Sequence, residues 1–126
     1  MDILLDTCSV LWFLKGDEKM PTSSRDIILN TENTIYVSIA SVWEVAIKIS
    51  IGKLEFDGGI DGFIRGIEDE DFSLLEISTE HTKAVANLPF IHRDPFDRIL
   101  IAQSMIESIP IMTTDSDILK YDVTPK

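Results

Sequence analysis

Hydrophobic and polar positions along this chain change period repeatedly. "DILLD" at 2–6 is a short apolar run between acids, the pattern of a buried strand, and "TCSVLWFLKG" behind it spaces Val10, Leu11, Phe13 and Leu14 as a helix does, up to Gly16. A helix over "SSRDIILNTEN" leads to the β-branched strand "TIYVS" at 34–38, after which "IASVWEVAIKISIGKL" keeps helical spacing until Gly52. The polar, glycine-containing "EFDGGIDGFIRGIEDED" predicts only a weak helix. Beyond it the pattern predicts a strand "FSLLEIS" at 72–78, a helix "TEHTKAVANL", a second helix "PFDRILIAQSMIES", a strand "IPIMTT" and a last turn or helix "DSDILKYD". Strands alternating with helices predict an α/β fold. Because parallel strands need crossovers, the expected architecture is three layers, α/β/α, around a mainly parallel sheet of about four to five strands.

One segment breaks the pattern. "HRDPFDRILIAQ" at 92–103 is apolar on nearly every side and so belongs in a core, yet its entrance holds two aspartates and two arginines. Asp94 precedes Pro95, a favoured N-cap followed by a favoured first helical residue, and this commits its carboxylate to backbone N–H groups. Asp97 then falls at the third helical position beside Phe96, Ile99, Leu100 and Ile101. There it is either a partner of the helix dipole or a capping box, or a charge that needs a metal or Arg98 to neutralise it. In open parallel sheets ligands bind beyond the carboxyl ends of the strands. Asp6 ends the first predicted strand, Asp115 follows the last, and Glu44 lies in the helix after the second, so the three can meet Asp97 at one edge.

Composition narrows the possibilities. The 126 residues fit one domain, 1–126, with no room for a second. With 22 acids against 11 basic residues the net charge is −11, which gives no global attraction to a nucleic acid. Nucleic-acid chemistry would have to work through bound cations and a local basic cluster, and a basic protein partner is favoured. The run "EDED" at 68–71 reads as solvated surface. No apolar run approaches the ~18 residues needed to span a bilayer, and Asp2 and Asp6 stand where a signal peptide needs basic and then apolar residues, so a soluble, cytoplasmic protein is expected. Cys8 is the only cysteine, which excludes an intrachain disulfide and agrees with a reducing compartment.

Four segments, "LLDTCSVLWFL" at 4–14, "IASVWEVAIKISIGKL" at 39–54, "LPFIHRDPFDRILIAQS" at 88–104 and "IPIMTTDSDILKYDV" at 109–123, closely resemble the PIN domain in its VapC branch of toxin ribonucleases. The resemblance covers nearly the whole chain, with the motifs in the family's order. It implies a metal-dependent endoribonuclease, the toxin of a type II toxin–antitoxin pair, with a flanked parallel sheet, a cognate antitoxin and a tendency to form homodimers. Motif by motif, the family's four acids fall on Asp6, Glu44, Asp97 and Asp115. The cap argument and the family pattern choose the same aspartate. Mg²⁺ or Mn²⁺ suits such a set, since hard cations take carboxylate, phosphate and water oxygens. Asp6 and Asp97 are expected as inner ligands, with Glu44 and Asp115 binding directly or through water.

Other residues have two readings each. Relatives commonly carry Asn or His where this chain has Cys8, for which a buried thiol is the favoured role over a metal-binding thiolate. Thr113 matches the family's hydroxyl near the scissile phosphate, or is an ordinary strand threonine. Lys48, four residues after Glu44, can hold that glutamate or a phosphate. Arg93 and Arg98 are the nearest candidates for phosphate contact, with a plain surface role for the first and an acid partner for the second as alternatives. Asp117 reads as the N-cap of the last helix, His92 as structural or exposed, His81 as uninvolved. Trp12 and Trp43 suit core or dimer-interface packing better than base stacking. Two functions compete with the nuclease. A phosphoryl-transfer domain would also place an acid after the first strand, but "DTCS" lacks the second acid of a phosphatase and "YVSIAS" lacks a receiver's phosphoacceptor. A PIN-like binding module without catalysis is disfavoured by acids at all four matched positions.

Overall fold

The first strand, β1 (Asp2–Leu5), explains the layering on its own. Ile3, Leu4 and Leu5 are fully buried, and successive side chains leave opposite faces of the sheet. Ile3 and Leu5 enter one apolar cluster and Leu4 enters another. The same alternation recurs in β2 (Thr34–Ser38), where Ile35 and Val37 face the first cluster and Tyr36 the second, and in β4 (Ile111–Met112), where Met112 and Ile111 divide likewise. Both faces are therefore covered, as a parallel sheet requires.

The structure is a computed structural model that describes residues 1–121. Helices α1 (Thr7–Lys15), α2 (Thr22–Leu29) and α4 (Gly59–Asp69) cover the first face through Val10, Phe13, Ile28, Phe63 and Ile67. Helix α6 (Pro95–Glu107) covers the second through Leu100, Ile101 and Ala102, with α5 (Thr79–Ala86) packed against it. Helix α3 (Ile39–Ser50) serves both sides, with Val45 in the first cluster and Ala40 in the second. The sheet is four-stranded, entirely parallel and ordered β3-β2-β1-β4, with β3 spanning Ser73–Leu75. The chain thus moves outward from β1 through β2 to β3 and returns to the opposite side of β1 for β4. The reversal lies between β1 and β4, where open sheets of this kind place their ligand sites.

The expected three-layer fold is present, with local differences. β3 and β4 are much shorter than the predicted strands. β3 pairs with β2 only over Tyr36–Ser38, and β4 follows Pro110, whose missing N–H is tolerated because β4 is an edge. After Met112 the ladder stops, because the Thr113 side chain is taken up by Asp6 and by the backbone of Asp115. The weak helix is a full one, α4, built on Phe63 and Ile67 at i, i+4; Gly62 is required there because a Cβ would stand 2.0 Å from the Asp57 carbonyl oxygen. α2 ends at Leu29, short of the predicted "NTEN". The terminal turn is a short 3₁₀ helix over Ile118–Lys120, and its predicted last residue, Asp122, lies outside the described residues.

Leu100, wholly buried on α6, carries the second cluster. Leu100→Ala should destabilise the protein by about 2–5 kcal/mol, read as a lower urea midpoint with an unchanged slope.

Candidate active site

Asp6 leaves β1 as the N-cap of α1: one carboxylate oxygen accepts the Ser9 N–H at 2.8 Å. The other accepts the Thr113 hydroxyl at 2.6 Å, so the carboxyl ends of β1 and β4 are joined through a side chain. The backbone continues the join, Asp6 N–H donating to the Met112 carbonyl at 3.1 Å. Thr113 Oγ1 in turn accepts the Asp115 N–H at 3.0 Å, which turns Asp115 back towards the same edge. Glu44 arrives from α3, whose start is fixed by Ser38 capping Ala40 N–H at 3.0 Å. Asp97 arrives from the first turn of α6, where Asp94 accepts the N–H groups of Phe96 at 2.8 Å and of Asp97 at 3.1 Å. The cap expected of Asp94 is thus present, leaving the Asp97 carboxylate free for the site.

All four acids line one cleft, with Thr7, Cys8, Lys48, Asp94 and Thr114 around them. Asp6 and Glu44 are only 5% and 7% exposed, and Glu44 Oε1 is buried with no hydrogen-bond partner among the described residues. Its other oxygen takes Lys48 at 2.9 Å. Buried polar atoms are almost always paired, so an orphaned carboxylate oxygen in an acidic cleft has the donor chemistry of a ligand for a hard cation. His92 stands between two of the acids, with Nε2 3.1 Å from Asp97 Oδ2 and 3.0 Å from Asp115 Oδ2, and these three groups lie close enough to share one ion.

Charge crowding marks these groups. Burial pushes the Asp97 carboxyl up to about 7; Asp94, Glu44 and Asp6 add to the shift and His92 opposes it. Burial also raises Asp6, against the hydrogen bonds from Ser9 and Thr113. Asp115 goes the other way: burial would raise it, but the His92 hydrogen bond, the Asp117 N–H and the His92 charge hold it below the ordinary carboxylate range. His92 is raised, its burial outweighed by the Asp115 hydrogen bond and the charges of Asp97, Asp115 and Asp94.

Not every residue singled out in the sequence reaches the cleft. Lys48 is there as the partner of Glu44, its amine held above the usual lysine range by that hydrogen bond. Thr113 is buried and engaged with Asp6 and Asp115, so its hydroxyl does not face an incoming phosphate. Arg98 is turned away. It is 8% exposed, and its guanidinium bonds the carbonyls of Pro89, His92 and Val85 rather than an acid. Arg93 is exposed on the strap before α6 and does not line the cleft.

Cys8 is not the buried thiol expected. It is exposed at the cleft, and burial of its sulfur together with Asp6, Asp97 and Glu44 pushes the thiol up to about 11. Asp117 stands at the N-cap position of the last turn but makes no side-chain cap; its carboxylate takes Lys120 at 3.0 Å. His81 is buried and structural, closing a capping box with Ser78 and meeting Glu107 at 2.8 Å. His92 is the site residue that the sequence reading passed over. Its signal was its place two residues before the cap Asp94, whose N–H donates to His92 Nδ1 at 3.1 Å and turns the ring into the cleft.

The sequence matches the PIN domain family over residues 3–123, and the chain belongs to that family. Its fold is that of VapC-type PIN domains. The VapBC2 structure from Rickettsia felis, bound to a DNA fragment from its promoter, contains a chain that aligns over 100% of this one and 98% of its own length, with a TM-score of 0.73 at 14% identity. DNA-bound VapBC from Salmonella typhimurium aligns over 100% and 97%, with a TM-score of 0.69 at 13% identity. The PIN domain endonuclease Utp24 aligns over 94% and 74%, with a TM-score of 0.55 at 16% identity. No curated protein matches the sequence significantly.

The raised Asp97 value predicts an inverted pH response of the metal-free protein. Between about pH 4 and pH 7 the folded chain keeps a proton on Asp97 that the unfolded chain has released, so Asp97 subtracts stability as pH rises through that window, and Asp6, also raised, acts in the same direction. Thermal melts in EDTA should show wild type losing more stability than Asp97→Asn between about pH 5 and pH 8. Equal losses would remove Asp97 as the titrating group.

Proposed function

We propose that this protein is a divalent-metal-dependent endoribonuclease and the toxin of a toxin–antitoxin pair. The observation that carries the reading is the orphaned, buried Glu44 Oε1 in a cleft shared with Asp6, Asp97 and Asp115. PIN domains are generally nucleases, and the solved neighbours include VapBC assemblies and a PIN domain endonuclease. Membership of the family sets the receiver and phosphatase alternatives aside. The inactive binding module is disfavoured by the intact acids.

A bound Mg²⁺ or Mn²⁺ would supply the positive charge that the cleft lacks, polarising a phosphate and acidifying a water. The chain's own residues do the rest. Asp6 and Asp97 would be its inner ligands, and Glu44, fixed by Lys48, would offer its free oxygen. Asp115 would orient the attacking water, whose oxygen joins phosphorus as the bond to the 3′ oxygen breaks, the proton that the water gives up balancing the one that the leaving 3′ oxygen gains. Arg93 and the outer side of Lys48 are the cations left to meet the RNA backbone, against a net charge of −11. The same acidic mouth suits an arginine or lysine from an antitoxin tail, which would neutralise the carboxylates and close the cleft.

A homodimer belongs to the same proposal. Phe13 is in the core and Trp12, partly buried, packs against it. Trp43 is 59% exposed and stacks edge-on against Phe96 at 5.0 Å, beside the exposed Ile39 and Ile77. An exposed apolar cluster of this kind marks an association surface. Sedimentation at tens of micromolar should give a dimer that Trp43→Asp weakens; a monomer throughout removes this part.

Purified protein incubated with structured RNAs should cleave in Mn²⁺, be silent in EDTA, and lose activity in Asp6→Asn, which keeps the helix cap. Cleavage of no tRNA or rRNA fragment above that control overturns the nuclease. Independently of activity, Mn²⁺ at 100 times its dissociation constant should stabilise wild type by about 2.7 kcal/mol, and Asp97→Asn should lose the gain while being no less stable in EDTA.

A further inference from the structure

The strap between α5 and α6 that carries Pro89 to Arg93 has no regular structure, yet it is tied down from two sides. The Tyr121 hydroxyl accepts the N–H groups of Ile91 at 3.0 Å and His92 at 2.7 Å and donates to the Pro89 carbonyl at 2.8 Å. Arg98 donates from Nη1 to the carbonyls of Pro89 at 3.1 Å and His92 at 3.3 Å, and its guanidinium lies 4.6 Å from the centre of the Phe90 ring. Among the described residues Arg98 has no carboxylate partner. A buried guanidinium bound only to carbonyls and to the Tyr121 hydroxyl carries a desolvation cost that surface residues avoid. Among the described residues, His92 is the one member of this strap whose side chain meets carboxylates of the acidic cleft.

The ring is oriented as well as placed. Its Nδ1 accepts the Asp94 N–H, so in the neutral imidazole the hydrogen sits on Nε2. That single N–H faces Asp97 Oδ2 and Asp115 Oδ2 together, joining carboxylates from α6 and from the loop after β4 that would otherwise repel. Presenting the Nε2 lone pair to a cation would break the Asp94 bond, the one that orients the ring from its Nδ1 side. The uncommitted acceptor atoms lie elsewhere: Glu44 Oε1 has no partner although its side chain is more than nine-tenths buried, and Asp97 Oδ1 accepts no hydrogen bond among the described residues.

We propose that His92 is a positioning residue which spaces Asp97 and Asp115 for a divalent cation held by Asp6, Glu44 and Asp97, and that Tyr121 and Arg98 set this spacing by fixing the strap. The proposal rests on the metal-site reading above and adds three residues to it, none of which lines the cleft itself. His92 is then a brace rather than a ligand.

The test is Mn²⁺ binding by the full chain, followed by calorimetry and by pulsed electron paramagnetic resonance. His92→Ala and Tyr121→Phe should each weaken Mn²⁺ affinity by about tenfold or more, as loss of an outer partner of a metal ligand does. His92→Gln, which keeps an N–H within reach of the carboxylates, should recover most of the loss. In wild type the bound Mn²⁺ should show no directly coordinated imidazole nitrogen, a measurement that needs no variant. Melts in EDTA report whether each variant is folded, and Tyr121→Phe removes one oxygen while leaving the ring packing. If wild type binds no Mn²⁺, the metal-site reading itself fails. If wild type binds and both variants, folded, bind equally well, the metal site stands and the positioning role is overturned. A coordinated nitrogen that disappears in His92→Ala overturns it differently, by making His92 a ligand.

Discussion

Carboxylates repel one another, and burial makes the repulsion worse. Asp6, Glu44, Asp94, Asp97 and Asp115 converge on one cleft whose lining, among the described residues, contains a single lysine, and among those residues the neighbouring His92 supplies the only other cation-forming group in contact with them. Each acid is tolerable because something local holds it. Asp6 has the Ser9 N–H and the Thr113 hydroxyl, Asp94 has the α6 N-terminus, Glu44 has Lys48 on one side, and Asp97 and Asp115 share one imidazole nitrogen. What remains uncompensated is one oxygen of Glu44 and the proton that Asp97 keeps to about 7. The fold around the cleft serves this accommodation: β1 and β4 are adjacent so that Thr113 can reach Asp6, and α3 and α6 meet so that Glu44 and Asp97 face each other's charge.

Much of this was legible in the residue pattern. The alternation of strands and helices gave the layers, and the Asp-Pro step separated the capping Asp94 from the free Asp97. Less legible was anything set by pairing or by direction. β3 and β4 read as full strands because their sequences are apolar, but a strand extends only as far as its neighbour offers partners, and Thr113 diverts the backbone. Arg98 looked like a phosphate ligand because it adjoins Asp97, yet adjacent helical residues point about 100° apart, so one faces the cleft and the other the strap. His92 looked incidental because its importance comes from a tautomer fixed by one backbone N–H. Cys8 looked buried because its neighbours on α1 are, whereas the first turn of that helix opens onto the cleft.

The thiol has a use in understanding the site. Burial first, and then the acids around Cys8, push its thiol up to about 11. The chain therefore offers here a neutral, weakly polar group that adds no charge to a cleft already short of cations. It also leaves the sulfur slow to react while the acids are unneutralised.

The candidate site has a long reach along the chain. Its first acid is residue 6 and its last is residue 115, joined through Thr113 across 107 positions, and the hydroxyl that fixes the strap belongs to residue 121. Contacts of such separation form late and slowly, because the intervening loop must close before any of them contributes. During synthesis, an emerging chain presents Asp6, Glu44 and Asp97 without the strand and the tyrosine that bring them into order. A chain cut short before Ile111 lacks β4, the Thr113–Asp6 hydrogen bond and the Tyr121 anchor of the strap together, so the cleft assembles only after these late segments have emerged.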